Sequence, residues 1–186
     1  VYIPDSAVDL GYDLFSECWD LTNVRLPETL TELIEGMFYD CRSLKEIHIP
    51  DSVTDVSSYA FEGCESLERL IIPENVYEIN FEGFYDCTSL TEVYILGYET
   101  WPSSIEMLEN LETVYCYRDS TVDHELPYLG DLDVDIVYLD DIEWAPPETT
   151  EWTTQKVTET ATETTTQAST DTTTETTTET TTVLTV

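Results

Sequence analysis

Basic residues are scarce in this sequence. Its 186 residues include only 6 lysines and arginines against 40 aspartates and glutamates, which gives a formal net charge of −34 at pH 7. Binding to DNA or RNA depends on lysine and arginine side chains that neutralise phosphates, so this balance argues against a nucleic-acid partner. It also argues against binding to anionic lipid surfaces. Basic proteins, cations and uncharged ligands such as glycans remain as partner classes.

Long apolar runs and a recognisable signal region are also missing. No window approaches the roughly 18 consecutive apolar residues of a membrane-spanning helix, so we expect no direct membrane insertion by this fragment. The chain starts with VYIPDS, without a methionine, a charged segment or the apolar core of a signal peptide. Because these first residues match the middle of a repeating unit, we expect the sequence to be a fragment.

Catalytic signatures are lacking as well. The sequence has two histidines, His48 and His124, and none of the Ser-His-Asp, HExxH, P-loop or GxGxxG patterns. Asp131, Asp133 and Asp135 have the spacing of a calcium loop, but isoleucines stand where that loop needs its glycine and its bidentate glutamate. We therefore predict no catalytic residue, no cofactor and no metal site. The aspartates are interpreted as a solvated acidic edge that protects a strand from pairing.

Four kinds of residue recur every 23 positions over the first half of the chain. The recurring residues are Pro4, Pro27, Pro50 and Pro73, then Phe15, Phe38, Phe61 and Phe84, then Cys18, Cys41, Cys64 and Cys87, and finally Leu21, Leu44, Leu67 and Leu90. Four independent columns with one period indicate a repeat architecture. One such unit cannot bury its apolar face, whereas stacked units bury one another. The period thus predicts a repeat solenoid with the Phe, Cys and Leu columns in its core.

Each unit divides into two halves with different expected structures. The opening LxxΦxΦP, where Φ is apolar, alternates as a short strand, and the proline ends it because proline cannot donate a backbone hydrogen bond. Val56, Tyr59, Ala60 and Phe61 have near-helical spacing, which predicts a short helical or 3₁₀ turn in the second half. Stacking would form a parallel sheet on the concave face, with turns and loops on the convex face.

The stretch LKEIHIPDSVTDVSSYAFEGCESL, residues 44–67, resembles the repeat of the BspA-type leucine-rich repeat family nearly position for position. The resemblance covers residues 1–96 and implies an α/β leucine-rich-repeat fold. The units are 1–20, which is partial, then 21–43, 44–66 and 67–89, and the opening of a further unit at 90–96.

Residues 97–143 depart from the regular pattern. The strand opening LETVYC, at 111–116, follows Leu90 by 21 residues, and no Phe-Cys column follows it. Terminal repeats are atypical because they seal the exposed end of the core. This segment resembles the C-terminal cap of BspA-type arrays. We therefore expect an irregular last repeat, a Tyr-x-x-Ser turn, a helix over Val122–Tyr128 and a last strand near Val134–Leu139.

The cysteines allow several interpretations. Zinc sites use ligand pairs with spacings such as C-x₂₋₄-C, whereas these five cysteines lie far apart in sequence, and a nucleophilic cysteine needs a nearby base. Stacking would place one cysteine of each unit in a column, where a free thiol packs as a small hydrophobe. The Cα separation of vertical neighbours suits a disulfide, but in-register side chains point the same way and five thiols cannot all pair in one molecule. We favour free, buried cysteines.

Outward-facing strand positions are the candidate binding surface, because the concave face of stacked repeats is extended and open. Alternation from the inward Val24, Ile47, Leu70 and Val93 defines what we call the ligand face: Tyr2, Arg25, His48, Arg69, Ile71, Tyr94 and Tyr115. Tyrosine and arginine often carry interface energy. The alternative is a merely solvated sheet surface, on which Glu46 and Arg69 form a cross-strand pair.

Residues 144–186 differ in composition and are rich in threonine and glutamate, as in TTTETTTETTT. This low-complexity sequence has little to bury, so we predict a disordered linker, which is a candidate for O-glycosylation in a secreted chain. Such linkers resemble those of modular secreted and cellulosome-associated proteins of gut bacteria.

The resemblance implies a function in binding and not in catalysis. We expect a monomeric, secreted or cell-surface adhesion module on a threonine-rich stalk, with a protein or glycan ligand on the ligand face, and with its signal and anchor outside this fragment. The alternative is a structural or carbohydrate-binding accessory module of a secreted polysaccharide-degrading, cellulosome-like complex, in which Tyr94 and Tyr115 would contact the glycan.

Overall fold

The described part of the chain contains short parallel strands and few helical residues, connected by turns. The computed structural model describes residues 1–7, 10–126 and 133–144, which belong to the first of two compact units, Val1–Pro146 and Pro147–Val186. The strands in these residues are β1 Glu32–Leu33, β2 Asp55–Val56, β3 Arg69–Ile72, β4 Glu78–Asn80, β5 Glu92–Ile95, β6 Trp101–Ser103, β7 Thr113–Cys116 and β8 Asp135–Tyr138. The helical elements there are α1 Thr121–Glu125 and 3₁₀ turns at Phe81–Phe84, Ile105–Met107 and Leu139–Asp141.

The openings of successive repeats pair side by side in a parallel sheet. Its strand order is β3-β5-β7-β8, and Leu70 pairs with Val93, which pairs with Val114. Isolated parallel bridges continue this pairing at Tyr2, Arg25 and His48 in the earlier repeats. Leu70, Val93 and Val114 are fully buried. Every second residue of a strand points to the same face of the sheet, and in these strands the apolar residues are on the face toward the core. The parallel strands predicted from the LxxΦxΦP openings are confirmed.

The second halves of the repeats contribute another parallel sheet, which the sequence analysis did not predict. Its strand order is β1-β2-β4-β6. The helical turn expected over Val56–Phe61 is wrong, since Val56 lies in β2 and a turn without a helix follows. The backbone N–H of Ser57 donates to the Leu33 carbonyl of the preceding repeat at 2.8 Å. A single helical turn would leave such backbone groups without a hydrogen-bond partner, whereas pairing with the preceding repeat satisfies them. A 3₁₀ turn occupies the equivalent position in the next repeat, at Phe81–Phe84.

The phenylalanine column is a stack of aromatic rings. The ring centroids are 5.4 Å apart from Phe15 to Phe38, 5.4 Å from Phe38 to Phe61 and 5.1 Å from Phe61 to Phe84. The interplanar angles of 8° to 17° place the rings nearly parallel. Phe38, Phe61 and Phe84 are buried, as are the leucines of the neighbouring column at Leu44, Leu67 and Leu90. The core role predicted for these residues is confirmed.

The first repeat departs from the predicted burial. Cys18 is exposed, and Phe15 and Leu21 are half-buried. Trp19 next to Cys18 is also exposed, at 56%, so this turn of the partial unit 1–20 lies open to solvent in the structure. The prediction of a buried core position is therefore wrong for Cys18 and holds only in part for Phe15 and Leu21.

The buried cysteines form a ladder of hydrogen bonds. Each thiol donates to the carbonyl of a phenylalanine in the preceding repeat: Cys41 to Phe15 at 3.1 Å, Cys64 to Phe38 at 3.3 Å and Cys87 to Phe61 at 3.2 Å. All five cysteines of the chain are free, and burial raises the pKa of Cys41 and of Cys87 to about 12. The interpretation as free, buried thiols is confirmed for these column members.

The repeat pattern continues beyond residue 96 into the irregular last repeat that the sequence predicts there. Ile105 and Leu108 are buried at the positions of the phenylalanine and the cysteine. The Leu108 N–H donates to the Ile105 carbonyl at 3.1 Å, just as the Cys87 N–H donates to the Phe84 carbonyl at 3.0 Å. Apolar residues of another type thus extend both columns by one repeat that is two residues shorter.

A short helix and a final strand follow the last repeat. Ser120 caps α1 by accepting a hydrogen bond from the Asp123 N–H, and Val122 and Leu126 are buried against the core. Strand β8 pairs in parallel with β7. The Tyr138 hydroxyl donates to the Asp123 carboxylate at 2.8 Å and connects the helix with the strand. The helix begins one residue before the predicted Val122, and residues 127–132 lie outside the described residues.

Candidate functional site

Strand register brings most of the ligand face into one row. Tyr2 pairs with Arg25, and Arg25 pairs with His48. In the later repeats Ile71 pairs with Tyr94, which pairs with Tyr115. Arg69 lies in the adjacent row and pairs with Glu92. The alternation of the LxxΦxΦP openings was sufficient to predict these neighbours, because parallel strands without bulges keep equivalent residues aligned.

The N-terminal part of the row presents cationic and aromatic groups to solvent. The Arg25 guanidinium lies 5.2 Å from the centroid of the Tyr2 ring, and its Nη2 is 3.8 Å from a Glu28 carboxylate oxygen. Arg25 and Tyr2 are half-buried, and His48 is exposed. The ring orders the guanidinium without neutralising it, so this part of the row can accept a polar or aromatic partner group.

Arg69 is held by its neighbours and is less available to a ligand. Its Nε donates to a Glu92 carboxylate oxygen at 2.6 Å, and its guanidinium lies 5.7 Å from the centroid of the Tyr94 ring. The hydrogen bond with Glu92, together with its charge, raises the pKa of Arg69. Arg69 therefore has its cross-strand ion pair with Glu92 on the following strand, whereas the sequence pattern pointed to Glu46.

The prediction of Tyr94 as an exposed ligand contact is wrong. Only 8% of Tyr94 is accessible to solvent. Its ring stacks on that of Tyr115 with centroids 3.9 Å apart and an interplanar angle of 1°. The Trp144 ring lies 5.9 Å away at 28°. Burial, reinforced by a hydrogen bond with Tyr115, raises the pKa of Tyr94, so its phenol stays protonated at neutral pH. Ile71 is half-buried and adds apolar surface only.

Trp144 is a part of this surface that the sequence reasoning missed. The residue follows the 3₁₀ turn Leu139–Asp141 and was assigned to the linker 144–186. Its ring instead packs beside Tyr94 of the ligand face. The available signal was a large aromatic residue directly after an acidic segment, because an aromatic side chain in a polar stretch buries area only by packing on a neighbouring surface.

The sequence profile of the BspA type leucine-rich repeat region matches residues 1–115 in 6 copies. This chain belongs to the BspA-type leucine-rich repeat family. The match extends into β7 and so includes the strand opening LETVYC, which the sequence places in an irregular last repeat after residue 96. No curated protein sequence matches the chain.

Solved structures of leucine-rich repeat proteins resemble this BspA-type chain. A protein from Bacteroides ovatus has a TM-score of 0.59 and 26% identity, covering 74% of this chain and 35% of that one. The T. pallidum protein TpLRR has a TM-score of 0.53 and 28% identity, covering 61% of this chain and 54% of that one. The pneumococcal vaccine antigen PcpA, with a TM-score of 0.51 and 22% identity, covers 67% of this chain and 31% of that one and shows the fold alone. This chain thus spans about a third of the first protein and about half of the second.

The described residues contain neither a candidate metal site nor a membrane-spanning helix. Within residues 1–7, 10–126 and 133–144, no group of three or more His, Cys, Asp or Glu side chains is arranged to hold a metal ion. Asp131, from the calcium-like spacing, lies outside these residues. No helix in this part of the chain is both long and apolar enough to cross a membrane.

Proposed function

We propose that this chain is a non-catalytic binding module of a secreted or surface-displayed protein, with repeats that stack as a solenoid and a protein ligand on its ligand face. The observation that carries the proposal is the accessible run of Tyr2, Arg25 and His48 in one register row. Membership of a leucine-rich repeat family supports an interaction role, since stacked repeats create extended surfaces.

The charge of the ligand face supports a specific contact. The whole chain has a formal net charge of −34 with only 6 basic residues, yet Arg25 and Arg69 both lie on this face. Glu92 already neutralises Arg69 at 2.6 Å, whereas Arg25 has a longer contact of 3.8 Å to Glu28. Arg25 is therefore the cation that a partner carboxylate or carbonyl group would engage, with Tyr2 as the adjoining aromatic surface.

A glycan ligand is the second candidate, and the aromatic stack favours it. Tyr115 and Trp144 both stack on the buried Tyr94, and both are half-buried, so part of each residue remains accessible. Sugar rings pack on such aromatic faces because their C–H groups are apolar. This arrangement would suit a carbohydrate-binding accessory module of a polysaccharide-degrading complex.

Arrays of matrix proteins and of glycans, probed with the full chain, test the two candidates. A Tyr2→Ala, Arg25→Ala, His48→Ala variant should lose the signals from protein ligands while keeping its fold, since these side chains contribute little to the core. A Trp144→Ala variant should change only glycan signals. Tyr94 is left intact because truncating a buried ring would disturb the sheet.

Arg42→Ala is the matched control for the cationic row. Arg42 also combines a cation–π contact, at 5.8 Å from the Trp19 ring centroid, with an ion pair, at 2.9 Å from Asp40, but it lies outside the ligand face. The proposal requires that this variant keep the protein signals. Equal signals from wild type and the triple variant would remove the ligand face as the binding surface.

The linker predicted at 144–186 lies outside the described residues apart from Trp144, and we propose that it begins after that residue and is disordered. Residues 145–186 contain the threonine-rich stretch, and Trp144 itself packs on Tyr94. Limited proteolysis with mass spectrometry should give a stable fragment that ends just beyond Trp144. A protected fragment that extends into the threonine-rich stretch would contradict a disordered linker.

A further inference from the structure

An open groove lies on the side of the second sheet, away from the ligand face. Its volume is about 650 Å³, and its lining residues are Tyr77, Glu78, Glu99, Trp101 and Thr121. Strands β4 and β6 supply one wall, and the first residue of α1 borders the other. The Thr121 N–H donates to the Tyr98 carbonyl at 2.8 Å, which fixes this border against the last repeat.

Two aromatic rings of the groove face solvent. Tyr77 is 69% exposed and Trp101 is 44% exposed. They are positioned by the backbone, since the Trp101 N–H donates to the Tyr77 carbonyl at 2.8 Å and Trp101 pairs with Glu78 across the sheet. The positions equivalent to Tyr77 in the two preceding repeats are threonines, at residues 31 and 54. The repeat fold therefore does not require aromatic residues at these positions, and neither ring is part of the core.

The groove is also acidic. Glu78 and Glu99 both line it, and neither has an ion-pair partner among the described residues. Glu78 accepts one weak hydrogen bond, from the Ser103 hydroxyl at 3.4 Å. Glu78 also stands opposite Asp55 on the neighbouring strand, and like charges in this relation destabilise a sheet. These carboxylates thus retain charge that a ligand can neutralise.

We propose that this groove binds a lysine or arginine side chain of a partner polypeptide. The faces of Tyr77 and Trp101 contact the cation and its aliphatic stem, and Glu78 and Glu99 neutralise its charge. The net charge of −34 attracts a basic segment and repels an anionic one. A neutral glycan would use the two rings but would leave both carboxylates without a counter-charge. The groove is thus a second binding surface, independent of the ligand face.

Titration of the full chain with a labelled peptide of alternating lysine and glycine tests this site, with fluorescence anisotropy at constant ionic strength. A peptide with glutamine in place of lysine serves as the ligand control. In parallel, nuclear magnetic resonance follows the indole N–H signal of Trp101. This signal is identified as the one that is missing from the spectrum of the Trp101→Phe variant. We expect the lysine peptide to shift this signal, and the affinity to fall about tenfold in a Tyr77→Ala, Trp101→Ala variant.

Matched variants separate the groove from the overall acidity of the chain. Glu78→Gln with Glu99→Gln removes two charges from the groove, and Glu106→Gln with Glu109→Gln removes two exposed charges elsewhere. The first pair should weaken peptide binding about tenfold and the second less than about twofold. Tyr85→Ala, which removes another exposed ring, should also have little effect. Thermal unfolding of each variant verifies that it is folded.

Three results would overturn the proposal. Equal weakening by both glutamine pairs would assign the affinity to net charge alone. A Trp101 signal that moves with a xylo-oligosaccharide and not with the lysine peptide would make the groove a glycan site. A Trp101 signal that moves with neither would show that the groove binds neither ligand.

Discussion

The thiol of Cys64 donates a hydrogen bond to the carbonyl of Phe38, with 3.3 Å between Sγ and oxygen. The same carbonyl accepts the backbone N–H of Cys41 at 3.1 Å, so one oxygen serves both its own repeat and the next. Cys64 is fully buried. Its column therefore combines apolar packing with a weak directional bond between repeats, which a purely aliphatic residue would not supply.

Replacing Cys64 by alanine should destabilise the protein. The variant loses the sulfur volume and the bond to Phe38, and we expect the free energy of unfolding to fall by about 1–2 kcal/mol. Urea denaturation measures this difference. Cys18→Ala is the matched control. Because Cys18 is exposed, its replacement should lower the free energy of unfolding by less than about 0.5 kcal/mol. Equal losses of unfolding free energy at the two positions would mean that the hydrogen bonds of the cysteine column contribute nothing to stability.

Thiol reactivity should distinguish one cysteine from the other four. In native buffer we expect a single thiol, Cys18, to react promptly with a thiol reagent, because it alone is exposed. Burial raises the pKa of Cys116 to about 11 and that of Cys41 to about 12, which lowers the thiolate fraction as well as the access. Mass spectrometry after alkylation identifies the sites, and denaturant should release all five. Prompt modification of Cys41 would contradict the buried column.

Alkaline pH should weaken the fold. Burial raises the pKa of Cys41 and Cys87 from 9.0 to about 12, so the folded state keeps protons that the unfolded state releases. The contribution is fully present below pH 9 and is lost as the pH rises toward about 12. Urea unfolding at about pH 8 and about pH 10.5 should show this decline. A Cys41→Ala, Cys87→Ala variant should show a smaller decline with pH, and an equal one would assign the effect to other groups.

Truncation of Phe61 should be among the most damaging single changes. Its ring is fully buried between Phe38 and Phe84, so alanine removes two stacking contacts and leaves a cavity. We expect a loss of about 3–5 kcal/mol in the free energy of unfolding. Phe15→Ala provides the comparison, because that ring is half-buried and stacks on one neighbour. A similar loss at Phe15 would show that the column's energy does not depend on cover from both sides.

Glycine at position 59 should stabilise the protein. Tyr59 has φ of 62°, in the left-handed region, and the equivalent position one repeat earlier is Gly36 with φ of 68°. Glycine removes the steric cost of the left-handed conformation, and this gain outweighs the larger conformational entropy that glycine gives the unfolded chain. Tyr59→Gly should therefore raise the free energy of unfolding by about 0.5–1 kcal/mol. Tyr85 is an exposed tyrosine with φ of −55°, and Tyr85→Gly should destabilise. Thermal melts of both variants measure the difference, and a lower melting temperature for Tyr59→Gly would contradict the expected gain.

The 23-residue period, together with the alternation of apolar residues in each LxxΦxΦP opening, was enough to predict the parallel strands, the stacked core and the register of the ligand face. The reason is that each repeat meets an equivalent neighbour, so a residue's surroundings follow from its column. Arg25 beside Tyr2 and His48 is the clearest case. The same logic predicted that Phe38, Phe61 and Phe84 would be buried.

Tertiary structure decided what the columns do not encode. The second sheet exists because backbone groups in the second half of each repeat pair with those of the preceding repeat. No side-chain pattern in the sequence predicts this pairing. Ile105 and Leu108 fill the Phe and Cys positions because burial depends on apolar character and not on residue type. Trp144 covers Tyr94 because the chain returns to the sheet after β8, a long-range contact that no local sequence pattern determines.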